Sequence, residues 1–301
     1  MVELRPIAFT SILQIGRVSL SIMMLMPDEK QRGTPMSSER LVKNDANTNG
    51  ITNISIDSGQ KFSPSDWLGY FHLNRETRAD IAFPDRLTMA AELRAPLIKS
   101  LQRFQIGETG EGKHLRKYAS LMNDPVYEQC IDLFVKEEQY HARVLAQMIQ
   151  SLDGTLLTWH WTDIAYICLR RMLGLKTEVF IMLIAEIIGK CFYRACADNL
   201  DNRLLSDAFS LIVLDEIGHL EFHTHFLQDR TRAFPHLVRR GVHYAWCVLF
   251  VTACLVFITD HKKTLTALNV TPRDFMRDCL NTFHRTATRA LHLNRPRLEI
   301  C

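Results

Sequence analysis

The 301-residue sequence contains no Cys-x-x-Cys pair, although it has eight cysteines. This absence argues against a zinc ribbon, a rubredoxin-type iron site and a thioredoxin motif. Most of the cysteines lie in apolar stretches, where a free thiol behaves as a small hydrophobic side chain. We therefore expect the protein to reside in a reducing cytoplasm.

The sequence also lacks a large excess of either charge, with 36 Lys and Arg against 33 Asp and Glu. Such a balance gives no strong field for nucleic acid, and we predict no nucleic-acid partner. The uncharged run Tyr244–Thr259 has sixteen residues, whereas a helix that spans a bilayer needs about 20. We interpret this run as a buried core helix without membrane contact. Glu3 and Arg17 interrupt the apolar N-terminus, so we predict no secretion signal.

Strand-like alternation of apolar and polar residues is absent, and apolar residues recur at helical spacing from about residue 65. This spacing predicts helices over 84–105 (with an extension to 120 as the alternative), 126–152, 176–199, 203–229, 235–259 and 271–291. We predict an all-α fold with a ferritin-like four-helix bundle over residues 63–234. The polar residues 1–62 form a disordered or extended lead-in, and residues 235–301 form a C-terminal helical pair that packs on the bundle.

Two predicted helices carry the same motif, an acidic residue followed by Glu-x-x-His. The first copy runs from Glu137 to His141 and the second from Asp215 to His219. The i, i+3 spacing places the Glu and the His of each copy on one helix face. One copy alone is weak evidence, because Glu and His at this spacing usually form a solvated surface pair.

Each motif is preceded by a helix with a Glu in an apolar stretch, and the spacing repeats: 138 − 108 = 30 and 216 − 186 = 30. At a rise of about 1.5 Å per residue, this separation places mid-helix Glu beside Glu-x-x-His in an antiparallel hairpin. Two such hairpins would bring six metal-binding side chains together: Glu108, Glu138, His141, Glu186, Glu216 and His219.

This set predicts a site for two divalent metal ions. Two such ions bring four positive charges, which balance the four carboxylates, whereas buried carboxylates without a counter-charge are very costly. Carboxylate oxygens with only two imidazoles favour iron, with manganese as the alternative.

The stretches SLQRFQIGETGEG, EEQYHARVL and DEIGHLEFH resemble the ferritin-like superfamily of di-iron carboxylate proteins, in particular a bacterial group without an assigned reaction. The resemblance implies that Glu138 and Glu216 bridge the metals and that His141 and His219 each cap one of them. It also implies that the preceding acids, Glu137 and Asp215, accept hydrogen bonds from the ligand histidines.

Three further residues are candidates for the site. His223 follows His219 by one turn and could be a seventh ligand, an outer neighbour or a core histidine. Tyr193 could be a redox-active or hydrogen-bonding neighbour, or simply a packed aromatic residue. Glu111 forms a third Glu-x-x-His with His114 and is an alternative to Glu108 as a ligand.

The ligand set supports three functional hypotheses. The first is a di-iron oxidoreductase that activates O2 to hydroxylate, desaturate or N-oxygenate a small organic substrate, with electrons from an external donor. The second is a ferroxidase or a peroxide-handling dimetal protein, and the third is a non-enzymatic helical protein that binds metal. A homodimer is the candidate assembly.

Overall fold

A computed structural model describes residues 62–110, 112–158 and 175–293, which contain nine α-helices and no β-strand. They are α1 (Pro64–Thr77), α2 (Ala91–Glu108), α3 (Lys113–Ser120), α4 (Pro125–Ser151), α5 (Leu175–Asn199), α6 (Arg203–Thr231), α7 (His236–Asp260), α8 (Lys262–Ala267) and α9 (Pro272–Ala290). The predicted all-α class is confirmed for these ranges. The lead-in over residues 1–62 lies outside them, except for Phe62, and the domain division at residue 235 remains a prediction.

Four long helices form two antiparallel hairpins. Helix α2 packs along α4, α5 packs along α6, and α4 contacts α6 to join the hairpins. The turn residues Asn123 and Asp201 lie midway between the paired glutamates of each hairpin. In the second hairpin both arms rise as continuous helices from the turn, so Glu186 comes level with Glu216. In the first hairpin Glu108 still reaches Glu138, although α2 ends at Glu108 and the short α3 intervenes before the turn.

Capping residues fix where the helices begin. Asp124 accepts hydrogen bonds from the backbone N–H groups of Val126 and Tyr127 at the start of α4, and Asn202 caps α6 through the N–H of Leu205. Pro125 occupies the first turn of α4, where no intrahelical N–H bond is lost. Each such cap stabilises its helix by about 1 kcal/mol.

Helix α2 begins at Ala91, so the prediction of a start at Pro84 is wrong. The preceding segment forms tertiary hydrogen bonds with the end of α4: the Leu87 N–H donates to the Ser151 carbonyl, and the Ser151 hydroxyl donates to the Pro84 carbonyl, both at 2.6 Å. These bonds satisfy backbone groups that a longer helix would have used.

Helix α2 ends at Glu108, so the alternative of one helix to residue 120 is wrong, and Glu108 is terminal rather than mid-helical. The following glycines break the helix. Gly112 has a φ of 60° and faces Val135 so closely that a Cβ would collide with that side chain. Glycine adopts this conformation without the penalty that other residues meet.

Helix α7 contains the apolar run that predicted a buried core helix, but only one of its faces is buried. Trp246, Phe250 and Cys254 are buried against the protein, whereas Tyr244 and Val248 are exposed. In the described part of the chain, α7 is the only helix long and apolar enough to cross a membrane, and 28% of its most apolar window is buried. Core helices of soluble proteins also satisfy that length criterion, and the absence of membrane contact remains a prediction.

Candidate metal centre

Six side chains from α2, α4, α5 and α6 meet between these helices, and they are the six that the spacing predicted. They form two groups, and within each group the potential ligand atoms lie within 4.8 Å of one another. The first group contains Glu138, Glu186, Glu216 and His219, and the second contains Glu108, Glu138 and His141. Glu138 belongs to both groups. Glu216 also approaches the second group, since its Oε1 lies 3.5 Å from Nδ1 of His141. The cluster could therefore hold a metal ion, and its geometry offers two adjacent positions.

Each motif histidine is oriented by the acidic residue of the opposite motif. The Nε2–H of His141 donates to Asp215 on α6, and the Nε2–H of His219 donates to Glu137 on α4, both at 3.0 Å. A neutral imidazole with its proton on Nε2 presents the lone pair of Nδ1. The two Nδ1 atoms face the carboxylate cluster, and that of His219 lies 3.1 Å from Glu138 Oε1. This is the hydrogen-bonding pattern that the resemblance implied for Glu137 and Asp215.

Helix α1 provides two residues that the sequence did not indicate. The Asn74 side-chain amide donates to Glu137 at 2.8 Å and to Asp215 at 2.7 Å. The Arg78 guanidinium pairs with the same two acids at 2.6 and 3.2 Å. Asn74 lies in the last turn of α1, and Arg78 is the extended residue that follows the helix. No local feature connects either residue with the distant motifs. Asn74, Arg78, Glu137 and Asp215 thus form one partly buried network behind the histidines.

The cluster contains buried polar atoms without hydrogen-bond partners in the described structure. They are Nδ1 of both motif histidines, Oε1 of Glu138 and Oε2 of Glu216. Buried polar atoms are nearly always satisfied in native proteins, and unsatisfied ones call for a specific explanation. A cation bound among these nitrogen and oxygen atoms would satisfy all four. The donor set therefore fits divalent cations that accept carboxylate and imidazole ligands.

The pKa shifts in the cluster reflect burial and the mutual repulsion of its carboxylates. Burial and the neighbouring Glu138 raise the pKa of Glu108 well above its ordinary value. Burial and the neighbouring Glu186 raise the pKa of Glu216 in the same way. Burial alone would raise the pKa of Glu186 as well, but hydrogen bonds and charge from His219 lower it to about 2. Burial would lower the pKa of His219, yet its four carboxylate neighbours raise it. Without a cation, protons provide the balancing charge.

Tyr193 lies at the Glu108 side of the cluster and is completely buried. Its hydroxyl donates to Glu108 Oε1 at 2.9 Å. The hydrogen-bonding role considered for Tyr193 is therefore present in the structure, while a redox role remains a prediction. The bond fixes the orientation of a carboxylate that sits at the end of its helix.

His223 is buried one turn beyond His219 but belongs to neither group of potential ligands. Its ring lies edge-on to Phe134, with the ring centroids 4.7 Å apart. Its charge contributes to the low pKa of Glu186, which places it next to the cluster in an outer position. Glu111, the alternative to Glu108, lies outside the described residues.

The cluster is not equally enclosed on all sides. The side chains of Glu186 and Glu216 are 9% and 3% exposed, whereas that of Glu138 is 18% exposed. Glu108 is also partly accessible. Solvent thus reaches the α2–α4 side of the cluster, and small molecules could approach the metal positions from there.

Comparison with known proteins adds no family assignment. No protein-family model, curated protein or solved structure matches this chain. The resemblance to the ferritin-like superfamily therefore rests on the motifs, and the case for a metal centre rests on the convergence of the six side chains.

Proposed function

We propose that the protein is a di-iron carboxylate oxidoreductase of the ferritin-like type, which uses O2 to oxidise a small organic substrate. The observation that carries this proposal is the pair of ligand groups that share Glu138, each with a histidine whose Nδ1 is turned inward. When bound, a reduced iron pair supplies the electrons that activate O2.

The protein's own residues would prepare the site in three ways. Glu137 and Asp215 hold the imidazoles in the tautomer that binds metal. Tyr193 orients Glu108 and can hold a proton beside it. The buried aromatic rings of Phe134 and Tyr193 limit water on the inner side, so reactants would arrive at the partly exposed Glu138.

The electrons would come from an external donor, because the sequence contains no flavin-binding fingerprint. The substrate would be a small organic molecule, and manganese is the alternative to iron. The ferroxidase and metal-binding hypotheses need the same ligands, and they differ from the oxidoreductase in the chemistry that the bound metal then performs.

The test is anaerobic reconstitution of chelator-treated protein with iron(II), then desalting, metal analysis and exposure to O2. We expect about two iron ions per chain, O2 consumption and a visible absorption band from the oxidised iron pair. E216Q should lose metal, since Glu216 approaches both groups. E76Q, in an exposed residue of α1, is the matched control and should bind like the wild type.

Each other outcome identifies a different function. Oxidation of many iron(II) ions per chain, with accumulation of ferric mineral, would indicate a ferroxidase. Retention of two ions without reaction towards O2 or peroxide would indicate a non-enzymatic metal-binding protein. Less than one metal ion per chain in the wild type would contradict a metal centre altogether.

A further inference from the structure

A cavity of about 370 Å³ lies between α1 and α4, on the outer side of the network behind the histidines. Its apolar wall is formed by Phe71 and Leu133, which are buried, and by the ring of Tyr140. Glu137 also contributes to the lining, but none of the six clustered side chains does. This cavity is therefore separate from the metal positions, although it shares one wall with the outer network.

Four basic side chains line the cavity: Arg75, Arg78, Lys136 and Arg143. The only acids in the lining are Asp80 and Glu137. Glu137 is already engaged by Arg78 and His219, so it cannot neutralise the other cations. The ionised lining carries four positive and two negative charges. Asp215, outside the lining, offsets one more positive charge by pairing with Arg78, so the net charge at the cavity is about +1.

Three of these cations lack a carboxylate partner. Among the described residues, no carboxylate lies within ion-pair distance of Arg75, Lys136 or Arg143. The closest polar contact of Arg75 is a 3.4 Å approach to His72 Nδ1, and Arg143 lies over the Tyr140 ring at 5.7 Å. Their donors remain available to an incoming group.

The segment that carries Arg78 and Asp80 is held in place beside the cavity. The Tyr140 hydroxyl donates to the Ala79 carbonyl at 3.1 Å, and the Arg78 guanidinium packs over the Tyr140 ring at 4.6 Å. The guanidinium is thus fixed before any ligand arrives. Because Arg78 already pairs with Glu137 and Asp215, it supports the wall of the cavity and leaves the oxyanion to the other three cations.

We propose that this cavity binds a small organic oxyanion, either a carboxylate or a phosphate monoester, with an apolar or aromatic body. The oxyanion lies among Arg75, Lys136 and Arg143, and the body packs against the Tyr140 ring and Leu133. The volume suits a ligand at the small end of the usual range of about 300–1,000 Å³. The proposal does not depend on a metal, because every group that it uses belongs to the apoprotein.

The test uses chelator-treated, full-length protein and two probes, benzoate and phenyl phosphate, with binding measured by titration calorimetry. We expect at least one probe to bind with a millimolar or tighter Kd. The double variant K136Q/R143Q should weaken binding by about tenfold for each cation removed, since hydrogen bonds to charged groups contribute at least that much. The control K263Q/R273Q alters two exposed basic residues outside the cavity and should leave Kd unchanged.

A second measurement needs no variant. Modification of the Lys136 amine by an acylating reagent should slow when the bound probe is present, and modification of Lys263 should not. The relative Kd of the two probes distinguishes a carboxylate site from a phosphate site. The proposal would be overturned if neither probe binds at concentrations up to about 10 mM, which is well above the weakest Kd expected of a specific site. Equal binding by K136Q/R143Q and wild type would overturn it as well.

Discussion

Two acidic side chains outside the ligand cluster, Glu137 and Asp215, determine how both motif histidines are oriented. Each accepts the Nε2 proton of the histidine on the opposite helix. Burial would raise the pKa of Asp215, but the hydrogen bond from His141 and nearby charges lower it to about 2. Asp215 is therefore ionised throughout the neutral range and favours the inward-facing Nδ1 lone pair.

The variant D215N should bind iron(II) about 10- to 100-fold more weakly than the wild type, because outer partners of metal-bound histidines typically have effects of this size. Competition with a metal indicator measures the change. The matched control D229N alters an acid on the same helix whose side chain is 78% exposed. Equal affinity of D215N and wild type would show that the carboxylate does not orient the imidazole for metal binding.

Metal uptake should release protons, and the apparent affinity should rise with pH. Burial and like charges raise the pKa of Glu108 and Glu216 above the ordinary 4.5, so in the apoprotein both carboxyls keep protons above pH 4.5. The hydrogen bond to Glu137 and the other neighbouring carboxylates raise the pKa of His219 above its ordinary value of 6.5, against the effect of burial. A metal ion must displace these protons.

Calorimetric titrations in buffers of different ionisation enthalpy measure the number of protons released. That number should fall as the pH rises through the raised pKa values, because fewer sites remain protonated in the apoprotein. Binding without proton release at a pH below 6.5, the ordinary value above which the pKa of His219 is raised, would contradict this assignment.

Close packing between α1 and α6 depends on one glycine. A Cβ at Gly218 would overlap the hydroxyl of Tyr70, which packs against α6 at this point. The same environment, through burial and the charges of Glu137 and Asp215, raises the pKa of Tyr70. The glycine thus lets an aromatic residue of α1 sit directly against the motif helix.

The variant G218A should lower the free energy of unfolding by about 1–3 kcal/mol, because the added methyl group forces Tyr70 or α1 to move. The control G241A, in α7, has no atom within 4 Å of the added methyl and should gain up to about 1 kcal/mol from helix propensity. Urea denaturation compares the two. Equal effects would mean that α1 moves away from α6 at no cost.

Helix α7 is attached through one face only. Phe250 is fully buried and stacks on Phe283 of α9, with ring centroids 4.3 Å apart, and the Trp246 indole donates to the Phe180 carbonyl at 3.0 Å. Val248, two residues before Phe250, is 38% exposed. Phe250 and Val248 thus lie on the same helix but differ in burial.

Truncation of Phe250 to Ala should cost about 3–5 kcal/mol of unfolding free energy, since it removes a buried aromatic ring and leaves a cavity. Val248→Ala should change this free energy by no more than about 0.5 kcal/mol. Chemical denaturation of both variants tests the assignment of the packed face. A large loss for V248A alone would mean that the exposed face is covered in solution.

At the level of the whole chain, the proposed metal binding would stabilise the fold, because the candidate ligands come from α2, α4, α5 and α6. Thermal unfolding midpoints should rise with iron(II) or manganese(II) concentration, by an amount that corresponds to about 2.7 kcal/mol at 100 times Kd. Chelator should reverse the rise. E216Q should show no such dependence, and a metal-independent midpoint in the wild type would exclude metal binding to the native state.

The six clustered side chains were predictable from the sequence because position along a helical hairpin converts directly into height. Asn74 and Arg78 were not, since the bonds of Asn74 to Glu137 and Asp215 link residues 63 and 141 positions apart. The start of α2 differs from the prediction because tertiary bonds from Ser151 hold the preceding segment outside the helix. Helix α7 is less buried than its composition indicates, because hydrophobicity does not specify which face finds a partner.

The two contacts that Asn74 and Arg78 each make have a consequence for the whole cluster. Each contacts the acid behind His141 and the acid behind His219, so a displacement of α1 would act on both imidazoles together. The two histidines are therefore not independently adjustable from this side. A ligand or a substitution that shifts α1 would change the orientation of both imidazoles together, while all six donor side chains keep their identity.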